Sequence, residues 1–116
     1  MRFGLYLFFL VAFFACRSDE ALTLCNSEDP VNNLSWLKRT TDDIPSNPNY
    51  VSVVISVFDY KGKTIFNIYD MISSCAYCDL RDCSGQKYTR SNFNDLIANK
   101  KNERKIWCQN PALCVD

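Results

Sequence analysis

Six cysteines, Cys25, Cys75, Cys78, Cys83, Cys108 and Cys114, lie downstream of an apolar run near the chain start that ends at a seventh, Cys16. An even set of cysteines behind an export-type leader predicts a disulfide framework, because such bonds form and persist in oxidising compartments. Six cysteines can pair in many ways, so the connectivity stays open. Proximity along the chain suggests only Cys83 with Cys75 or Cys78.

The apolar run, Phe3 to Ala15, follows a single basic residue, Arg2. Its length suits the ~7–15-residue core of a secretory signal and falls short of the ~20 residues of a spanning helix. It has no polar face, which argues against a buried amphipathic helix. Two processing routes fit. In one, Phe13-Phe14-Ala15-Cys16 is a lipobox cleaved before Cys16, whose thiol and amine then carry acyl chains. Small Ala15 suits that reading, and Phe13 departs from the usual leucine. In the other, ordinary signal peptidase cuts after Ser18. The polar stretch Arg17-Ser18-Asp19-Glu20 favours the first route, since it resembles the acidic leaders of Bacteroidota lipoproteins. The chain then divides into a signal at 1–15, a lipidated Cys16 with a polar tether to 26, and one domain at 27–116. The lipid would hold the protein to a membrane, at ~0.8 kcal/mol per buried methylene. A soluble secreted form is the alternative.

Thirteen basic and thirteen acidic side chains cancel. There is thus no electrostatic case for nucleic acid or an anionic membrane surface as partner. About a hundred mature residues suffice for one domain. At that size three disulfides, ~2–4 kcal/mol each, supply much of the net stability.

The pattern predicts an α+β domain built on a small antiparallel sheet. Asp29-Pro30 and Asn33 carry helix-start chemistry, and Leu34, Leu37, Thr41 and Ile44 recur at helical spacing, so a helix is expected over 31–44. Pro45-Ser46-Asn47-Pro48 should stop it. Tyr50 to Tyr60 alternates as a strand, turns at Lys61-Gly62 and returns through Lys63 to Asp70 as the central hairpin, about 50–70. Two short strands are expected around Ser84-Gly85. Ser91 is the expected cap of a second helix over 91–101, with Phe93, Leu96 and Ile97 inward and Lys100 and Lys101 at its negative end. Lys105 to Cys108 reads as a last strand. The helices should cover one face of the sheet.

Several constellations invite chemical readings. Cys75-Ala76-Tyr77-Cys78 has the spacing of a thiol–disulfide redox pair. Asp79 and Asp82 nearby disfavour a thiolate, no helix pattern follows, and a structural disulfide is the preferred reading. A four-cysteine zinc site lacks its second C-x-x-C. No histidine occurs, which removes the commonest general base. Asp59, Asp70, Asp79 and Asp82 are the carboxylates near the sheet, a formal source of a glycosidase pair, but such aspartates usually cap turns. The expectation is a non-enzyme without metal or cofactor. Lys100 to Lys105 forms a basic cluster best read as a solvated helix end. Tyr50, Phe58, Tyr60, Tyr69, Tyr77, Tyr88 and Trp107 either complete the core or form a patch for a protein or glycan. Asn33-Leu34-Ser35 is a glycosylation sequon.

Leu34-Ser35-Trp36-Leu37, then Tyr60-Lys61-Gly62-Lys63-Thr64-Ile65-Phe66, then Cys75 and Cys78, then Asp82-Cys83-Ser84-Gly85 together resemble a family of small uncharacterised Bacteroidota lipoproteins. The likeness spans Leu34 to Gly85. It implies a location, outer membrane or cell surface, rather than an activity. Three functional readings follow: an envelope lipoprotein that binds or supports something, an inhibitor or immunity protein against an exported enzyme, and a thiol–disulfide oxidoreductase using Cys75 and Cys78. An inhibitor should present a protruding loop, and Met71 to Cys78 is the candidate.

Overall fold

β-Branched and aromatic residues crowd the middle of the chain, and there the backbone pairs. In the computed structural model, which describes residues 24–89 and 92–115, β1 (Val53–Tyr60) and β2 (Lys63–Asp70) form an antiparallel hairpin. Its register runs from Val53 opposite Asp70 to Tyr60 opposite Lys63. Lys61 and Gly62 take φ of 49° and 74°, the two-residue turn whose twist matches paired strands. β3 (Leu80–Arg81) adds beside β2, and β4 (Lys101–Cys108) beside β1. The order is β3-β2-β1-β4, antiparallel throughout, so this is an α+β fold with the hairpin at its centre.

Every residue of β1 except Asp59 is buried. Both faces of the sheet are therefore covered, because successive side chains point to opposite sides. Ile55, Val57 and Phe66 meet Leu37 from the first helical segment. Phe58, Tyr60 and Ile65 meet Leu80 and Leu96, the latter from the last helix. Helices thus lie on both faces, which corrects the one-face expectation. The apolar residues on both sides of β1 are the physical reason, since a strand covered on one face would alternate with polar residues.

The first helix is two pieces, α1 (Pro30–Asn33) and α2 (Ser35–Asp43), followed by a 3-10 turn at Ile44–Ser46. Asp29 caps α1, accepting from Asn32 N, with Pro30 in the first turn. Asn33 ends this piece rather than starting a helix. Leu34 between the pieces is extended, with φ −82° and ψ 112°. Both pieces keep the apolar stripe on the sheet, and Leu37, Thr41 and Ile44 are buried as the spacing predicts. Pro45 enters the 3-10 turn instead of ending the helix outright.

α3 (Phe93–Asn99) is shorter than the expected 91–101. Asn92 is its cap, accepting from Asn94 N at 3.0 Å and Asp95 N at 3.2 Å. Ser91, the expected cap, lies outside the described residues. Only Leu96 is buried, while Phe93 and Ile97 are 47% and 39% exposed. Lys100 follows the helix, but Lys101 to Lys105 belong to β4, so the basic cluster is mostly a strand and not a helix end. β4 therefore starts four residues earlier than the expected Lys105. At the other end of the chain Leu24 is buried in the core and pairs with Ser27. Leu24–Asn26 thus belong to the packed domain, although the sequence reading assigns them to the tether.

The cysteines close as Cys25–Cys83, Cys75–Cys78 and Cys108–Cys114. This corrects the suggestion that Cys83 pairs with Cys75 or Cys78. Cys83 sits in the turn after β3, where Trp36 of α2 donates from Nε1 to its carbonyl at 2.9 Å. The turn is built by Asp82, whose carboxylate accepts from Ser84 N, Ser84 Oγ and Gln86 N. Gly85 completes it at φ +84°, and a Cβ there would lie 2.6 Å from the Trp36 ring. We predict that Gly85→Ala costs about 2–4 kcal/mol, from combined backbone strain and overpacking, measured by urea unfolding with an unchanged slope. A loss under about 0.5 kcal/mol would show that Trp36 yields freely.

Candidate functional site

At the end of the hairpin far from Lys61–Gly62, Asp70 stops the strand and starts a loop, residues 71–79. Its Oδ1 accepts from Ser52 Oγ at 2.6 Å and from Ile72 N at 3.1 Å, and its carbonyl accepts from Ser73 N at 2.9 Å. The bonds to Oδ1 hold the Asp70 carboxyl below the ordinary aspartate value of 3.8, the Ser52 hydroxyl contributing most. Further along, Cys75 and Cys78 close the loop on itself. Asn67 Nδ2 donates to the carbonyl of Ala76 at 2.7 Å from within the sheet. Tyr77 OH donates to the Glu103 carboxylate at 3.0 Å, while its ring packs edge-on against Phe58. Burial, then Glu103, raises the Tyr77 pKa. The loop leaves through Asp79, whose carbonyl accepts from Ile68 N at 3.0 Å.

Tethered in this way, the loop still projects apolar side chains. Ile72 is 74% exposed and Met71 50%, beside Val51 at 64% and Tyr50 at 44%. The two segments that carry them are neighbours, since Met71 N donates to the carbonyl of Ser52 at 3.1 Å, and Tyr50 and Ile72 line one cleft. Scattered exposed apolar residues are ordinary, but a contiguous group marks a contact surface. The expected strand start at Tyr50 is thus displaced to Val53. Gln109 takes over there, accepting from Val53 N at 3.1 Å and donating to the Tyr50 carbonyl at 2.8 Å.

Beside the loop lies an open cleft of 670 Å³ between it and the end of α2. Ile44, Val53 and Ile68 form apolar walls, with Tyr50 and Ile72 at the mouth. Both cysteines of the Cys75–Cys78 bridge line it. Its charged side chains are Asp43, Asp70, Asp79 and Arg81. Arg81 is committed to Asp79 at 2.7 Å and to the Gly85 carbonyl at 3.1 Å. Asp43 and Asp70 have no cation partner among the described residues.

The aspartates singled out from the sequence are not gathered into one constellation. Asp59 sits near the hairpin turn and accepts from Asn102 Nδ2 at 3.1 Å. Asp82 serves its own turn. Asp70 and Asp79 share the cleft, in the roles just given. No three Cys, Asp or Glu side chains converge as a metal site among the described residues. The C-x-x-C is a closed disulfide in a loop, with no helix over residues 71–79. Of the aromatics, Phe58 and Tyr60 are core, and Tyr69, Tyr77, Tyr88 and Trp107 are half-buried. Only Tyr50 of that group remains exposed, so of the two alternatives the aromatics mainly complete the core, and the exposed apolar side chains lie at the loop's edge instead.

Within the basic cluster, Lys100 pairs with Glu103, and Lys105 Nζ donates to the Leu113 carbonyl at 2.8 Å. Asn33 of the sequon is exposed at the end of α1. Cys16, the expected lipid site, lies outside the described residues. The sequence reading missed Asn67 and Gln109. The one signal for Asn67 was an amide at an inward-facing strand position. Comparison of the chain with protein-family models, with curated proteins and with solved structures found no match.

Two predictions follow from the loop's construction. Closing a long stretch of chain constrains the unfolded state more than closing a short one, by roughly 4 against 2 kcal/mol for these separations. The double replacement Cys25→Ser with Cys83→Ser, across 58 residues, should therefore lower stability more than Cys75→Ser with Cys78→Ser, across 3. Denaturant midpoints compare them, and the reverse order would contradict the account. Secondly, a carboxyl with a depressed folded pKa stabilises fully above its unfolded value and loses that contribution as pH falls through the folded one. The Ile72 amide, which donates to that carboxylate, should thus stay protected above pH 3.8 and lose protection as pH falls below it. Hydrogen exchange followed across that range reads this directly.

Proposed function

We propose that this chain is a cell-envelope lipoprotein, exposed outside the cytoplasm, that works by binding rather than by catalysis. Its binding element is the loop at 71–79. The observation that carries the reading is the contrast within that loop. Its backbone is tied down by Asp70, Asn67, Tyr77 and a disulfide, while Met71 and Ile72 stand free of the core. A segment already ordered loses less entropy on binding, so its exposed side chains convert more of their contact into affinity. Three disulfides fit an exported protein. Among the described residues no helix is long and apolar enough to cross a membrane. The proposed attachment is lipid on Cys16, with the resemblance to Bacteroidota lipoproteins supporting the same location.

The same loop favours a second, narrower reading, an inhibitor or immunity protein whose stapled loop blocks an exported enzyme. A thiol–disulfide oxidoreductase gains less support. The Cys75–Cys78 pair has no helix N-terminus behind it to lower a thiol pKa, and Asp79 follows it directly.

One experiment tests location and binding together. The full chain, carrying a photo-crosslinking side chain at Ile72, is expressed with its leader and irradiated in intact cells. A control carries the crosslinker at exposed Glu28. The expected result is a mature protein that lacks 1–15, has acyl mass on Cys16, shows no free thiol and gives a discrete adduct from position 72 only. An exported enzyme in that adduct, slowed by the purified protein, would select the inhibitor reading. Retention of the first fifteen residues with reactive thiols would sink the location, and equal crosslinking from both positions would sink the binding surface.

A further inference from the structure

The cleft beside the loop has an electrostatic character that the neutral chain as a whole does not. Resting on the binding reading above, we infer that it receives an extended segment of a partner protein in which Lys or Arg alternates with aliphatic residues. Asp43 and Asp70 leave two uncompensated carboxylates at the cleft. The single cation there among the described residues, Arg81, is held by Asp79 and the Gly85 carbonyl and offers nothing to an incoming anion. Hydrogen bonds from Ser52 and the Ile72 amide keep Asp70 ionised, so its charge persists at neutral pH.

Apolar contact is supplied by the same place. Ile44, Val53 and Ile68 form walls that an aliphatic side chain can meet, and Tyr50 and Ile72 flank the mouth. In an extended segment successive side chains point in opposite directions. An aliphatic residue can then enter the cleft, and the long flexible stems of its Lys or Arg neighbours bend back to bring their charge to the rim, where Asp43 is exposed. The volume of 670 Å³ accommodates one or two side chains rather than a folded domain. An anionic lipid surface would meet the two carboxylates unfavourably, and an acidic peptide likewise. Opposite charges at a contact raise association rate and reject the wrong partner more than they add raw affinity, so selectivity and salt dependence are the signatures to read.

The test uses isotope-labelled protein with all three disulfides intact and two synthetic probes, acetyl-Leu-Lys-Leu-Lys-Leu-amide and its counterpart with Glu in place of Lys. Backbone amide shifts are followed by NMR. The Lys peptide should move resonances at Asp43, Tyr50, Asp70 and Ile72, weaken by about threefold or more as salt rises past ~0.2 M, and the Glu peptide should move none. Asp43→Asn, at a carboxylate that makes no ion pair among the described residues, should weaken the Lys peptide by about threefold with the fold unchanged. Ile72→Ser should weaken it independently of salt. Equal effects of the two peptides, effects confined to another face, or no effect of either would overturn the inference. So would neutral phosphatidylcholine vesicles broadening these same resonances with both peptides silent, which would assign the apolar edge to lipid. A position-specific adduct at Ile72 alongside indifferent peptides would leave the binding reading standing and remove only the cation preference.

Discussion

The Trp36 indole holds three separate parts of this chain in one place. Its Nε1 fixes the carbonyl of Cys83, its ring meets Phe66 edge-on at 5.2 Å, and its face lies where any side chain on Gly85 would have to go. Through Cys83 the same contact reaches Cys25 and so the start of the described domain. Helix α2, the turn after β3 and the N-terminal segment are thereby locked onto one face of the sheet. Without that lock Leu37 would lose its seat against Ile55, Val57 and Phe66. A half-buried indole with its N–H satisfied combines large apolar area with a directional bond, which suits a small domain short of core.

The opposite face is held differently. Leu96 is the only residue of α3 that enters the core, so the helix alone fixes little. Tyr60 supplies the remainder, donating to Asp95, which also pairs with Lys61 at 3.3 Å. Tyr77 closes the other end of that face through Glu103 and Phe58. The loop at 71–79 thus completes a core as well as presenting an edge. That dual role explains its rigidity, because loosening the loop would uncover Phe58. Binding surfaces built on such supports keep their shape at little entropic cost.

Much of the fold was legible in the residues. β-Branched alternation marked the hairpin, Lys61-Gly62 marked its turn, and Leu34, Leu37, Thr41 and Ile44 marked the face that the first helical segments bury. Local chemistry was sufficient there because strand, turn and amphipathic helix each impose a short period on the sequence. The break at Leu34 was not legible, since one extended residue leaves the apolar spacing intact. The cap at Asn92 was missed because serine and asparagine are near-equivalent caps, and their order in the chain does not say which one turns. The site was less legible than the fold. Asp70 and Cys75–Cys78 stood out by type, yet Asn67 and Gln109, which anchor the loop and the strand start, are uncharged amides with no motif around them.

The amino-acid sequence by itself determined the α+β class, the central hairpin and the presence of an even cysteine set suited to bridging. These depend on periodicity and composition, which are properties of neighbours along the chain. Only the tertiary structure decided which cysteines meet, that helices cover both faces, and that Tyr50, Val51, Met71 and Ile72 gather beside a negatively charged cleft. Each of these depends on distances between residues far apart in sequence, set by how the two sheet faces are filled. Cys83 illustrates the difference: its sequence neighbours Cys75 and Cys78 lie across a loop that closes on itself, and Trp36 draws its turn toward Cys25 instead.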